Sequence, residues 1–429
     1  MLEKRMLLGG IMNILEHNRG GARKTLLLLV VIFCFAYPAR SQNNLPDGNG
    51  KPIVQRVCGQ CHGLGFVTNR GMAREDWDWT VNRMMGYGAP VKKDEVPVLL
   101  DYLEANFPGP ARPKGVAIAG PVEATIQEWK VPSIGSRVRD PLVAPDGYIY
   151  YAGQISNVIG RFDPKTGEFK EYHLKTPKAG PHGVTADKEG NVWFTTNSAN
   201  YIGKLDSKTG EITEYHMPDP KATGVHTPLF DKKGTLFFTL ETGSMVGRMN
   251  TKTGEIKLVS VPTPNARPYG LVINSKGIPF FAEFGTNKLA TFDPETMEVK
   301  EFAMPNKDSG VRRIAITPDD AIWYGDFNRG YVGRFDLKTG EFKEWPSPSG
   351  PRSAPYGMAA IGYSIWYNES GANPNTIVRF DTKTEKFQSW LLPSGGGSVR
   401  NMMASPDGNL WIANAGADKI GKVEIKKAN

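Results

Sequence analysis

Apolar positions along this chain follow two different rhythms. Between residues 74 and 103 they recur every three to four positions: Trp77, Val81, Met84 and Met85, then Val96, Leu99, Leu100 and Leu103. That spacing predicts one helix from Arg74 to Met85 and another starting near Asp94, a suitable N-cap. A shorter helix is expected to lead from about Pro52 into Cys58. From residue 123 onward the apolar residues fall instead into short runs, such as Val192-Trp-Phe-Thr, separated by turns rich in Gly, Asp, Asn and Pro. This is the spacing of strands.

The strand region repeats itself. A turn of the form Phe/Leu-Asp-x-Lys-Thr-Gly-Glu recurs at Phe162–Glu168, Leu205–Glu211, Met249–Glu255, Phe292–Glu298, Phe335–Glu341 and Phe380–Lys386, with Phe292–Glu298 and Phe380–Lys386 degraded copies. A second marker stands on the first strand of each unit: Arg139, His182, His226, Tyr269, Arg312, Tyr356 and Arg400, spaced by 43, 44, 43, 43, 44 and 44 residues. A period in the forties with four short strands per unit is the pattern of a β-propeller, and seven markers predict seven blades. The last repeat stops after Ile420-Gly-Lys-Val-Glu-Ile425, one strand short, whereas Ala124-Thr-Ile-Gln-Glu-Trp-Lys-Val131 stands spare before the first repeat. The N-terminal strand is therefore expected to complete the final blade and leave no open edge.

The organisation that follows is an export signal at 1–41, a small all-α unit at 48–107, a Pro- and Gly-rich linker at 108–122, and an all-β seven-bladed propeller at 123–429. In the signal, Arg19, Arg23 and Lys24 precede the apolar run Leu26–Tyr37, and Pro38-Ala-Arg-Ser41 follows. The run is too short to span a bilayer, and no second long apolar segment follows, so the mature protein is expected to be soluble, periplasmic or secreted, with no membrane span. Cys34 falls inside this segment, after Phe33, where a lipoprotein signal would want a small residue. Residues 1–39 carry five Lys/Arg and two Asp/Glu, so about +5 of the formal +8 stays with the mature chain. That charge is spread without a basic block, which argues against a nucleic-acid partner.

Removal of Cys34 leaves two cysteines, both in Cys58-Gly59-Gln60-Cys61-His62. C-x-x-C-H is the attachment sequence of a c-type haem: the thiols form thioethers to the porphyrin and the adjacent His becomes the proximal iron ligand. A chance pair and a thioredoxin-like redox pair are the alternatives, but a redox pair needs no His at the next position and expects a βαβ setting that is missing here. Export agrees with haem attachment, which takes place outside the cytoplasm. A unit of about 60 residues also buries little core by itself, and a haem would supply the missing apolar volume. Met72, Met84 and Met85 are the candidates for the distal ligand. The stretch Trp77-x-x-x-Val81-x-x-Met84-Met85-Gly-Tyr-Gly-Ala-Pro90 resembles a family of small periplasmic monohaem cytochromes that includes the haem subunit of bacterial sulfite dehydrogenase and the haem domains of quinohaemoprotein amine dehydrogenases. The resemblance implies Met84 as axial ligand, with Met85 as its rival after a one-residue slip.

In the propeller the seven markers are expected to ring the central channel near one mouth. Further polar groups on the second strands, Asn197, Glu241, Glu283, Asp326, Glu369 and Asn414, are expected to join them. Such a ring is either a binding site or the solvated lining of a channel. The repeats, with Gly180-Pro-His-Gly-Val, Val192-Trp-Phe-Thr, Tyr201-Ile-Gly-Lys-Leu-Asp and Ile212-Thr-Glu-Tyr-His-Met-Pro, resemble the virginiamycin B lyase family over nearly all of residues 123–425. This resemblance implies a seven-bladed propeller that opens streptogramin B antibiotics by elimination at the ester, with Mg²⁺ held among His and Glu side chains and a His as general base. Carried over, the two histidines fall on His182 and His226 and the metal-side Glu on Glu241. Gly224 stands where the family has a further Glu, and in Asn265-Ala-Arg-Pro-Tyr269 a Tyr replaces the His. His173 and His216, on the outermost strands, are assigned nothing.

Three functional readings follow. In the first, the chain is a haem c protein that exchanges electrons with a periplasmic partner while the propeller channel binds a small molecule or docks a protein. In the second it is a streptogramin-type C–O lyase using His182, His226 and Mg²⁺ near Glu241. In the third the propeller is a non-catalytic binding or sensing module. A lyase reaction transfers no net electrons and has no use for a haem, which favours the first.

Overall fold

The computed structural model describes residues 45–60 and 63–426; the expected export segment and two motif residues, Cys61 and His62, lie outside the described residues. The helical unit contains α1 (Lys51–Val57), α2 (Gly65–Thr68), α3 (Arg74–Gly86) and α4 (Glu95–Asn106). Three of these start within one residue of the predicted positions, and the single-turn α2 is an addition. Pro52 in the first turn of α1 costs nothing, because the amide it lacks would be unpaired there. Glu75 and Asp76 place negative charge at the N-terminus of α3, where the helix dipole favours it. The predicted stripes face inward: Trp77 and Val81 from α3 pack with Leu99, Leu100 and Leu103 from α4 and with Val54 from α1. The Trp77 indole donates to the Phe107 carbonyl at 3.1 Å, which fixes the chain just past α4.

The propeller consists of seven four-stranded antiparallel sheets. Its inner strands are Val138–Val143, Pro181–Ala186, Val225–Phe230, Pro268–Ile273, Val311–Ile316, Pro355–Ile361 and Val399–Ala404, blades one to seven in chain order. The strand Glu123–Lys130 pairs along its whole length with Lys419–Lys426, so the final blade is completed from the N-terminal side as expected. No blade buries its own core alone. Leu142, Tyr150 and Ile159 of blade one share a cluster with Val184, Phe194 and Tyr201 of blade two, and the same sharing recurs around the ring. Removing one such buried aromatic costs about 3–5 kcal/mol, because two blades lose packing together.

One irregularity repeats in all seven blades. Pairing between the first and second strands slips just where each marker stands, between Val138 and Pro141, Pro181 and Val184, Val225 and Pro228, Pro268 and Leu271, Val311 and Ile314, Pro355 and Met358, and Val399 and Asn401. A bulge inserts residues without ladder partners and re-aims their side chains.

The stretch expected to be a linker is pinned to the propeller instead. Asn373 donates its backbone N–H to the Pro113 carbonyl at 2.9 Å, Ile118 and Ser389 exchange backbone hydrogen bonds, and the Gln388 amide donates to the Val122 carbonyl at 3.0 Å. Arg112 reaches back to buried Asp76 of α3 at 2.6 Å. Helix α3 itself lies on blade seven. Arg83 and the Tyr87 hydroxyl donate to the Gly416 carbonyl at 3.3 and 2.9 Å, and Trp79, between the guanidinium groups of Arg83 and Arg112, covers Gly397 so closely that a Cβ there would stand 2.7 Å from the indole.

Candidate functional site at the channel mouth

Each marker is the second residue of its inner strand, so the seven lie at one level near one end of the channel. They form two unlike arcs. On blades two to four, His182, His226 and Tyr269 stack in sequence, with ring centroids 3.9 Å apart at each step. On the other side Tyr356 meets Tyr269 hydroxyl to hydroxyl and accepts from Arg312 at 3.3 Å and Arg400 at 3.1 Å. Arg139 completes the ring and donates through Nε to the Gln154 side chain at 2.8 Å. The structure thus brings all seven predicted ring residues together.

The bulge adds a second layer that sequence reasoning missed. Among the residues that follow the markers, Arg313 of blade five and Asp140 of blade one form an ion pair at 2.6 Å. Arg313 also donates to Thr227 at 3.0 Å, and Thr227 is hydrogen-bonded to His226 Nδ1 at 2.9 Å. The signal was present: the residues following the markers are Asp140, Gly183, Thr227, Gly270, Arg313, Gly357 and Asn401, small except where they are polar. Gly270 has to be small, because a Cβ would stand 2.6 Å from the Arg312 carbonyl oxygen.

The expected second-strand ring is correct at Asn197 and Glu241 and one residue out elsewhere. In register, Asn197 and Glu241 correspond to Gln154, Phe284, Phe327, Ser370 and Ala415, and these are the positions that face the mouth. Successive strand residues point to opposite sides, so Glu283, Asp326, Glu369 and Asn414 turn away. Their polar groups serve the blades: Glu369 accepts from Ser347, Ser349 and Thr376, Asp326 from the Gly310 and Arg329 amides, Asn414 donates to Glu128, and Glu283 accepts from Thr286 at 2.7 Å. Phe284 and Phe327, which take the mouth positions, sandwich the Arg312 guanidinium at 3.9 and 4.2 Å.

Burial and the surrounding arginines set the protonation states. Both His182 and His226 are held well below the ordinary imidazole range, first by burial and then by neighbouring positive groups, so both are neutral. Burial alone would raise the Tyr356 phenol, yet Arg400, Arg312 and Arg139 overcome it and lower it, while burial and the Tyr356 charge raise Tyr269. The arginines therefore favour the charged form of Tyr356 over that of Tyr269. In the layer below, burial pushes Asp140 up and Arg313 opposes it.

The virginiamycin B lyase family model matches this chain at residues 118–336 and again at 280–428, together well over half its length. The chain belongs to the virginiamycin B lyase family. Among solved structures, a streptogramin B lyase is 27% identical with a TM-score of 0.65, over 71% of this chain and 98% of that one. Selenomethionine-substituted virginiamycin B lyase from Staphylococcus aureus is also 27% identical, with a TM-score of 0.64, over 70% of this chain and 99% of that one. A catalytically inactive His-to-Ala variant of the S. aureus lyase, solved with quinupristin, is 26% identical over 70% of this chain, with a TM-score of 0.62. No curated protein matches the chain significantly.

Family membership does not carry the family's metal chemistry onto these residues. Glu241, the expected metal-side carboxylate, is bound to Arg267 instead. The groups around His182 and His226 are cationic or aromatic, and among the described residues no three His, Cys, Asp or Glu side chains gather closely enough to hold an ion. The expected Mg²⁺ set of His182, His226 and Glu241 does not fit, and Gly224 offers no replacement acid.

The helical unit fits its own expected group better. Cys58 closes the C-terminus of α1 and is half-buried, with burial raising its thiol. Like Cys58, the side chains of Leu64, Met72, Met85, Ala89, Val91 and Val96 pack against the small core while remaining partly exposed, and Phe66 is 51% exposed. Incompletely covered apolar side chains on a small core are a surface that a flat apolar macrocycle would cover. Met72 and Met85 are among these side chains. Met84, the expected distal ligand, is half-buried and is not among the side chains packed against that core.

Proposed function

We propose that the chain is an exported haem c protein that exchanges electrons with a periplasmic partner while its propeller mouth binds a small molecule. The observation that carries the reading is the seating of α3. Trp79, Arg83 and Tyr87 rest on residues 395–397 and 416, which immediately flank Arg400 and the end of the second strand of blade seven. The unit bearing Cys58 is therefore mounted on the same rim as the ring of markers, and Arg137 on that rim feels both Arg400 in the channel and Arg70 in the helical unit. Cys58 and Cys61 would hold the macrocycle, His62 would ligate the iron, and Met85, Met72 or Met84 would supply the second sulfur. When bound, such a group takes up and releases single electrons. The protein's contribution would be the partly exposed apolar side chains that cover the macrocycle and the α3 contacts that hold this unit on the propeller.

A C–O lyase of the family type is the second reading, and the neutral imidazoles of His182 and His226 are its support. The Glu241–Arg267 pair and Gly224 weigh against it. The test is a haem-stained denaturing gel of the full chain, expressed in a host that attaches haem c. A covalent haem band that disappears in C58S/C61S is expected. An unstained band for the unmodified chain, together with Mg²⁺-dependent ring opening of virginiamycin S, would hand the case to the lyase.

A further inference from the structure

The arginines of the channel divide by what they are paired with. Arg313 has Asp140 and Arg267 has Glu241. Arg139, Arg312 and Arg400 have no carboxylate partner among the described residues, although Arg139 is only 4% exposed. Arg139 Nη1, Arg312 Nε and Arg400 Nε are buried atoms that find no hydrogen-bond partner there, and so are His182 Nδ1 and His226 Nε2 facing them. Burying guanidinium groups without a counter-charge costs several kcal/mol each, by order of magnitude, unless an anion compensates them. The nearby hydroxyl of Tyr356 collects two of the three and leaves donors over. The walls are equally specific. Phe284 and Phe327, partly exposed at the rim, hold Arg312 between their faces, so an apolar surface adjoins the uncompensated charge. A fork of planar donors beside aromatic faces matches a carboxylate carried on an apolar body better than it matches a fully hydrated tetrahedral anion.

We propose that the propeller mouth is an anion site in which Arg139, Arg312 and Arg400 hold the carboxylate of a small organic acid, its apolar body lying against Phe284 and Phe327. This rests on the reading that the channel binds a small molecule, and it is independent of the haem. Binding would draw the arginines away from Tyr356 and weaken the pull by which they lower its phenol.

The experiment titrates the full chain with benzoate, acetate and inorganic phosphate, following thermal unfolding and the ultraviolet absorbance of phenolate. Benzoate is expected to raise the melting temperature and to diminish the phenolate signal, acetate to act more weakly for want of the ring, and phosphate to bind more weakly than benzoate. R312Q and R400Q should each weaken benzoate by about tenfold or more, whereas R248Q, on the outer face of blade three, should bind as the unmodified chain does. If benzoate moves neither signal, or binds R400Q and R312Q undiminished, the site is not an anion site and Tyr356 alone answers the arginines. Phosphate binding more tightly than benzoate would overturn the carboxylate assignment. C58S/C61S separates the two readings: it should bind benzoate unchanged, so the failure of one reading leaves the other visible. Should a substituted chain fail to fold, the phenolate response of the unmodified protein still decides.

Discussion

Arg312 and Arg313 are neighbours in sequence and opposites in circumstance. A bulge turns both toward the channel, but Arg313 enters the lower layer, where Asp140 and Thr227 receive it, and Arg312 enters the mouth layer, where it meets two phenyl faces, a phenol and two more unpaired arginines. The lower layer is electrostatically closed and ties blades one, three and five together across the axis. The mouth layer is open, with donors to spare. The same residue type is a structural strut at one level and a ligand-seeking group at the next, and what decides is whether the protein supplies the counter-charge itself.

That comparison can be broken first at the strut. Asp140→Ala leaves Arg313 buried and uncompensated, and a loss of about 3–5 kcal/mol in denaturant unfolding is expected. An unchanged midpoint would mean the two layers do not differ. A smaller effect comes from Glu283, which burial raises from 4.5 to about 7, with Glu301 adding to the shift. The folded protein then keeps a proton that the unfolded chain releases, so Glu283 stabilises the fold fully below about pH 4.5 and loses that contribution as pH approaches 7. Glu283→Gln should flatten this decline, by on the order of 1–2 kcal/mol; parallel pH–stability curves for both proteins would refute the assignment. The smallest change in stability is expected from R312Q, at most about 1 kcal/mol of loss, and even a gain, because it relieves like-charge crowding at the mouth.

The parts of this molecule that were legible in its sequence are those written in a period. Seven evenly spaced markers identified the blades, the spare strand at 124–131 identified the closure, and the helical stripes around Trp77 and Leu99 located α3 and α4. What depended on one residue of register was not legible. Glu283, Asp326 and Glu369 look like natural channel liners, but strand alternation turns them into the blade, and the mouth positions go to Phe284, Phe327 and Ser370. The Asp140–Arg313 pair joins residues 173 apart in the chain and exists only because a bulge re-aims both, a conformation no spacing announces. The Pro-rich stretch 108–122 lacks any periodicity, and its pinning comes from backbone hydrogen bonds to Asn373 and Ser389 and from side-chain donors, Gln388 and Ser389, distant in sequence.

Electron exchange on the rim of the propeller is the central functional proposal. The most direct measurement is a reductive titration of the full, matured chain followed by its visible spectrum. A single reversible one-electron step, with the sharp reduced bands of a haem held by imidazole and sulfur and absent from C58S/C61S, is the result expected. A chain that takes up no electron and shows two free thiols at Cys58 and Cys61 would contradict the account.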